Sequence, residues 1–114
     1  MKKIKLFDPV TGKNEENAIK KILHNHNWAS GAGSGSVYQF EKKFSDFLGS
    51  KNCVSVNSGT AALHLGLSLF DIKDKEVILP SISFVTTAHA IIYNGGIPVF
   101  VDVEPKTLCI DPQK

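Results

Sequence analysis

Arginine is absent from this chain: all thirteen of its basic residues are lysines. The planar guanidinium fork that grips carboxylates and phosphates through two parallel hydrogen bonds is therefore missing, and an anion held here must rely on backbone N–H groups, hydroxyls or lysine. Neither sign of charge dominates. Thirteen basic and 11 acidic residues leave a formal +2, and the lysines are scattered rather than striped, which argues against nucleic acid or an anionic membrane surface as partner. Cysteine numbers two, Cys53 and Cys109, far apart in apolar runs and without metal or redox spacing. The expectation is two buried free thiols and no metal site. No apolar run approaches the roughly 18 residues of a membrane span, and Met1 to Phe7 carries no hydrophobic region of signal-peptide length. A cytoplasmic protein without a membrane partner is expected.

What is present is the composition of a globular domain, 114 residues with 42% apolar. Asn14, followed by Glu15 and Glu16, predicts a helix start, with Ile19, Ile22 and Leu23 as its apolar stripe down to about Asn25. His24 and His26 near its end have no third ligand close in sequence and read as a solvated helix end rather than a metal pair. Trp28 to Ser36 is a glycine and serine loop. It follows a helix rather than a strand, and Ser36 stands where a G-x-G-x-x-G fingerprint needs its third glycine, so a dinucleotide role is rejected. Ser36 and Gln39 resemble a capping box, after which Val37, Phe40, Phe44, Phe47 and Leu48 share one helical face, read as core, before Gly49 stops the helix.

The chain is organised around residues 54–65, Val-Ser-Val-Asn-Ser-Gly-Thr-Ala-Ala-Leu-His-Leu. They read as a short buried strand, a tight polar turn and a helix apolar nearly all round, hence buried, with His64 as a hydrogen-bonded core histidine. The turn is suited to an anion: N–H groups at a helix start meet the positive end of the helix dipole, and Ser58 and Thr60 add hydroxyls beside Gly59. A charged connector, Asp71 to Lys75, leads to a strand at Glu76 to Pro80. Ser81 or Ser83 then caps a third helix through Phe84, Val85, Ala88, Ile91 and Ile92, ended by Asn94-Gly95-Gly96. Pro98 to Val103 is another strand, and Leu108 to Ile110 a short extended piece. Alternating strands and helices predict an α/β layer with a largely parallel sheet, whose ligands bind beyond the carboxyl ends of the strands. Residues 57–61, 80–84 and 102–104 leave at that edge. The first offers anion donors and the second an aromatic face at Phe84, so a phosphate joined to a flat ring is the ligand this edge suits. Asp102 reads as a strand-end hydrogen-bonding residue.

In order and spacing, the runs Phe40-Glu41…Phe44…Leu48-Gly49, Val56-Asn57-Ser58-Gly59-Thr60-Ala61-Ala62-Leu63-His64-Leu65, Glu76-Val77-Ile78…Pro80…Ser83-Phe84-Val85…Thr87-Ala88 and Gly96…Pro98-Val99-Phe100-Val101-Asp102-Val103 closely resemble the N-terminal part of the DegT/DnrJ/EryC1/StrS family. These are pyridoxal-phosphate (PLP)-dependent aminotransferases acting on nucleotide-linked keto sugars, usually with glutamate as amino donor. The resemblance implies an α/β fold that is part of a PLP-dependent transferase large domain, aspartate-aminotransferase-like and of fold type I. Residues 1–50 would be its N-terminal helical segment and 51–114 the start of its α/β layer, together an incomplete domain. It implies that Thr60 and Ala61 give backbone amides, with the Thr60 hydroxyl, to the cofactor phosphate; that Ser58 and Gly59 shape the turn; and that Phe84 stacks on the pyridine ring.

No catalytic residue is assigned within the chain, because the Schiff-base lysine of such enzymes is expected beyond Lys114. Some relatives are dehydratases with histidine in its place, so that reaction is the alternative, as is a truncated non-catalytic remnant. The family sheet sets strands from later in the chain between those around Val54 and Ile78, which predicts a fragment with exposed apolar edges. The resemblance also implies a homodimer, with the Trp28 to Ser36 loop near the partner's substrate.

Overall fold

The computed structural model describes residues 3–26 and 33–114, which fall into two units, Met1–Val54 and Ser55–Lys114. The first unit is helical. Helix α1 (Lys13–Asn25) begins two residues earlier than Asn14 predicts. Its cap is Gly12, whose backbone N–H donates to the Glu15 carboxylate at 2.7 Å. Glu15 satisfies the start from inside the first turn, so no hydroxyl or amide side chain is needed at the cap. The apolar stripe of α1 forms, yet Ile19 and Leu23 remain exposed.

Helix α2 (Gly35–Leu48) is likewise capped two residues before the expected Ser36, at Ser34, and it ends as predicted on Gly49. Gly49 has φ +66°, and the N–H groups of Gly49 and Ser50 return to the carbonyls of Asp46 and Ser45, a left-handed turn that glycine adopts without a Cβ penalty. The aromatic face of α2 corrects the expectation of core. Phe40, Phe44, Phe47 and Leu48 are all exposed, although Phe40 and Phe44 pack against each other at 5.6 Å. Helical periodicity selects the face that would bury; it does not supply the surface that covers it. The glycine and serine loop lies outside the described residues as far as Ala32, and Gly35 and Ser36 already belong to α2.

In the second unit the order is α3 (Gly59–Leu67), β1 (Glu76–Pro80), α4 (Thr86–Tyr93) and β2 (Ile97–Val101). The strands pair in parallel, Glu76 opposite Ile97 through Pro80 opposite Val101, and α4 is the crossover that a parallel pair requires. The ladder continues beyond both ends, from the Ile97 N–H to the Lys75 carbonyl and from the Ser81 N–H to the Val101 carbonyl, each 2.8 Å. The small core forms where α4 meets β1: Leu79 and Ile91 are 2% exposed beside Ala88, with Leu67, Ile72 and Val77 packed against them. Gly96 permits the turn between α4 and β2, since a Cβ there would stand 2.9 Å from Ile91 Cγ2 and 3.1 Å from Ile72 Cδ1. Leu108 to Ile110 makes an antiparallel bridge, Val103 with Ile110.

Four other expectations are corrected here. Residues 54–56 form no strand, and Val54 and Val56 are exposed. Extended backbone becomes a strand only when another strand takes its hydrogen bonds, and β1 and β2 pair with each other. Helix α3 holds no buried residue, and Leu63 and Leu65 are 44% and 45% exposed. His64 is consequently not a core residue; it is exposed, with its ring 5.9 Å from that of Tyr93. Of the two thiols, Cys53 is half-buried and Cys109 exposed. In each case an apolar sequence neighbourhood meets too few packed elements to close over it.

Candidate functional site

The polar turn before α3 has the geometry of a helix cap. Ser58 is extended (φ −161°, ψ 158°), and its hydroxyl oxygen accepts the Ala61 N–H at 3.2 Å. The first intrahelical bond runs from the Ala62 N–H to the Ser58 carbonyl at 3.0 Å. The N–H groups of Gly59 and Thr60 therefore precede the hydrogen-bond ladder and have no acceptor within the helix. They point out of its positive end. A Cβ on Gly59 would meet nothing within 4 Å.

Phe84 lies just ahead of α4 rather than on it, because the helix begins at Thr86 behind Val85 as its cap residue. This shifts the helix start predicted from Ser81 or Ser83. Phe84 is 75% exposed among the described residues. Its turn is held by the Thr87 N–H donating to the Phe84 carbonyl at 3.0 Å and by a 2.9 Å hydrogen bond between the Ser83 and Thr87 hydroxyls.

These two segments meet. Gly59, Thr60, Ala62 and Leu63 from α3, with Phe84, Thr86 and Thr87, line one open cleft of about 590 Å³. Of the residues singled out in the sequence, Gly59, Thr60 and Phe84 thus share a cavity, while Ser58 and Ala61 are not among its lining residues and are joined to each other in the cap. Thr86 and Thr87 also line it. Asp102 accepts the Val103 N–H at 2.8 Å and its carbonyl takes the Asp111 N–H, in keeping with a strand-end structural residue. Among the described residues no three metal-ligating side chains converge, and no helix is long and apolar enough to cross a membrane.

A model of the DegT/DnrJ/EryC1/StrS aminotransferase family matches residues 9–114. The chain belongs to that family. Among its relatives in the family, the spore coat polysaccharide biosynthesis protein SpsC of Bacillus subtilis is 43% identical over 93% of this chain and 27% of its own length. The dTDP-4-dehydro-2,3,6-trideoxy-D-glucose 4-aminotransferase of Saccharopolyspora spinosa is 43% identical over 92% of this chain and 27% of its own. Among solved structures, the Escherichia coli GDP-4-keto-6-deoxy-D-mannose-3-dehydratase with bound hydrated PLP superposes with a TM-score of 0.78 at 32% identity, over 93% of this chain and 28% of that one. The chain spans about a quarter of the length of these relatives. Its fold is a partial α/β domain of the type I PLP-dependent aminotransferase class.

The residues present fit the phosphate and ring of PLP. The cleft is lined by the first residues of α3, among them Gly59 and the hydroxyl-bearing Thr60, and by an exposed aromatic ring, which are the donor and stacking types that a phosphate joined to a flat ring needs.

Proposed function

We propose that residues 1–114 form the N-terminal part of the PLP-binding large domain of an aminotransferase that acts on a nucleotide-linked keto sugar with glutamate as amino donor. The observation that carries this reading is the shared cleft of the α3 N-terminus and Phe84, taken with the family. The phosphate would be held by the Gly59 and Thr60 N–H groups and the Thr60 hydroxyl, with Ala61 and Ser58 fixing the turn behind them. Phe84 would cover one face of the pyridine ring and keep water from it. Bound there, PLP supplies the electron sink that amino-group transfer needs. The enzyme is proposed to be a cytoplasmic homodimer of amino-sugar or polysaccharide biosynthesis.

The test uses the full polypeptide that carries residues 1–114. Thr60→Val removes a hydrogen bond to a charged group and is expected to weaken PLP binding about tenfold or more. Phe84→Ala is expected to weaken it several-fold through lost stacking. Unchanged affinity in both variants removes the site assignment. The similarity to a solved 3-dehydratase supports a second reading, a sugar dehydratase built on the same pocket. Nitrogen-15 from labelled glutamate appearing in the sugar product selects the aminotransferase; a deoxygenated product without nitrogen selects the dehydratase.

A further inference from the structure

The ring of Phe84 is not held by packing. It is 75% exposed, and among the described residues it stacks on no other ring. Its backbone therefore sets where the side chain starts and which rotamers are open to it, and that backbone is tied at one residue. Thr87 donates its N–H to the Phe84 carbonyl at 3.0 Å and shares a hydroxyl hydrogen bond of 2.9 Å with Ser83, so its two bonds bracket Phe84 from either side. The usual cap is missing: Val85 is helical in backbone (φ −52°, ψ −29°) and has no side-chain oxygen to offer the helix start. The Ser83–Thr87 bond ties the segment before α4 to its first turn through side chains instead.

We propose that Thr87 is the positioning residue for Phe84: through its hydroxyl it fixes the 83–87 turn so that the aromatic ring is presented to the cleft. This rests on the cofactor site proposed above. Holding the turn that carries the ring before the ligand arrives removes part of the ordering cost from binding. Thr87 itself lines the cleft and Ser83 does not, so a loss of affinity on removing the Ser83 hydroxyl separates a loosened turn from a lost contact of Thr87 with the ligand.

The experiment measures PLP affinity, together with the circular-dichroism band of the bound cofactor, in the full polypeptide. Thr87→Val keeps the side-chain shape and the N–H while removing the hydroxyl. It is expected to weaken binding about three- to tenfold, the size of one neutral hydrogen bond, and to reduce the dichroic band. Ser83→Ala should reproduce the loss, and Thr87→Ser should restore both readouts. In a Phe84→Ala background, Thr87→Val should have no further effect, because a residue acting only through Phe84 has nothing left to position. Unchanged affinity in Thr87→Val and Ser83→Ala, with Phe84→Ala impaired, overturns the proposal alone. So do additive losses in the double variant. Failure of Phe84→Ala to weaken binding overturns the cofactor reading and this proposal with it.

Discussion

The hydroxyl oxygen of Ser58 accepts the backbone N–H of Ala61 at 3.2 Å, closing the first turn of α3 from outside the helix. The same turn carries the free donors of the cleft, so stability and site geometry share one bond. Ser58→Ala is expected to cost about 1 kcal/mol of stability, with faster amide exchange at Ala61. Ser58→Asp, which retains an acceptor at the cap, should recover most of the loss, and amide exchange read by mass spectrometry checks both.

Asn94 ties the two helices of the second unit together. Its side-chain amide donates to the His64 carbonyl at 3.1 Å and to the Ala90 carbonyl at 2.8 Å, serving both α3 and the last turn of α4. Asn94→Ala removes both bonds, while the His64 carbonyl keeps the Ser68 N–H as donor, and is expected to destabilise by about 0.5–1.5 kcal/mol. A urea midpoint lowered by less than a few tenths of a kcal/mol equivalent would refute it.

Two glycines should respond in opposite senses to the same substitution. Gly96→Ala forces a methyl against Ile91 and Ile72, and a loss of about 1–3 kcal/mol is expected from overpacking. Gly66→Ala lies inside α3 with nothing within 4 Å, where a methyl raises helix propensity by up to about 1 kcal/mol. Thermal unfolding of the two variants should move in opposite directions.

The turn after Val103 titrates in acid. Hydrogen bonds from the Thr107 hydroxyl, then from the Lys106 and Thr107 N–H groups, hold the Glu104 carboxyl below the usual glutamate range. The bonds favour the charged form. Their support is therefore full above the unfolded glutamate pKa and is lost as pH falls through the lowered folded value. A carboxyl NMR titration should place Glu104 below an ordinary glutamate, and Thr107→Val should move it back toward one.

Sequence made the punctuated elements legible. Gly49 ended α2, the proline after Leu79 closed β1, and Asn94-Gly95-Gly96 separated α4 from β2, because these residues act through their own backbone. The residues of the cleft were legible in part: the turn at Gly59 and Thr60 and the ring at Phe84 line it together, although residues 54–56 form no strand to bring the turn to a sheet edge. Properties that depend on a distant neighbour were not. Residues 54–56 have strand composition, but β1 and β2 bond each other. The α2 phenylalanines and the α3 leucines mark a face without supplying the surface that covers it. The caps at Gly12 and Ser34 were missed because Glu15 reaches back across its turn and because Gly35 is itself helical.

Gly59 stands at the mouth of the cup with open space where a side chain would go. The protein's own packing makes no demand for glycine there. An alanine should be accommodated by the folded chain and slightly favour α3, while narrowing the entry to the donors behind it. Gly59 is thus a position where robustness and ligand capture pull apart. A selection for thermal hardiness alone would be expected to replace it; a selection for cofactor loading would be expected to keep it.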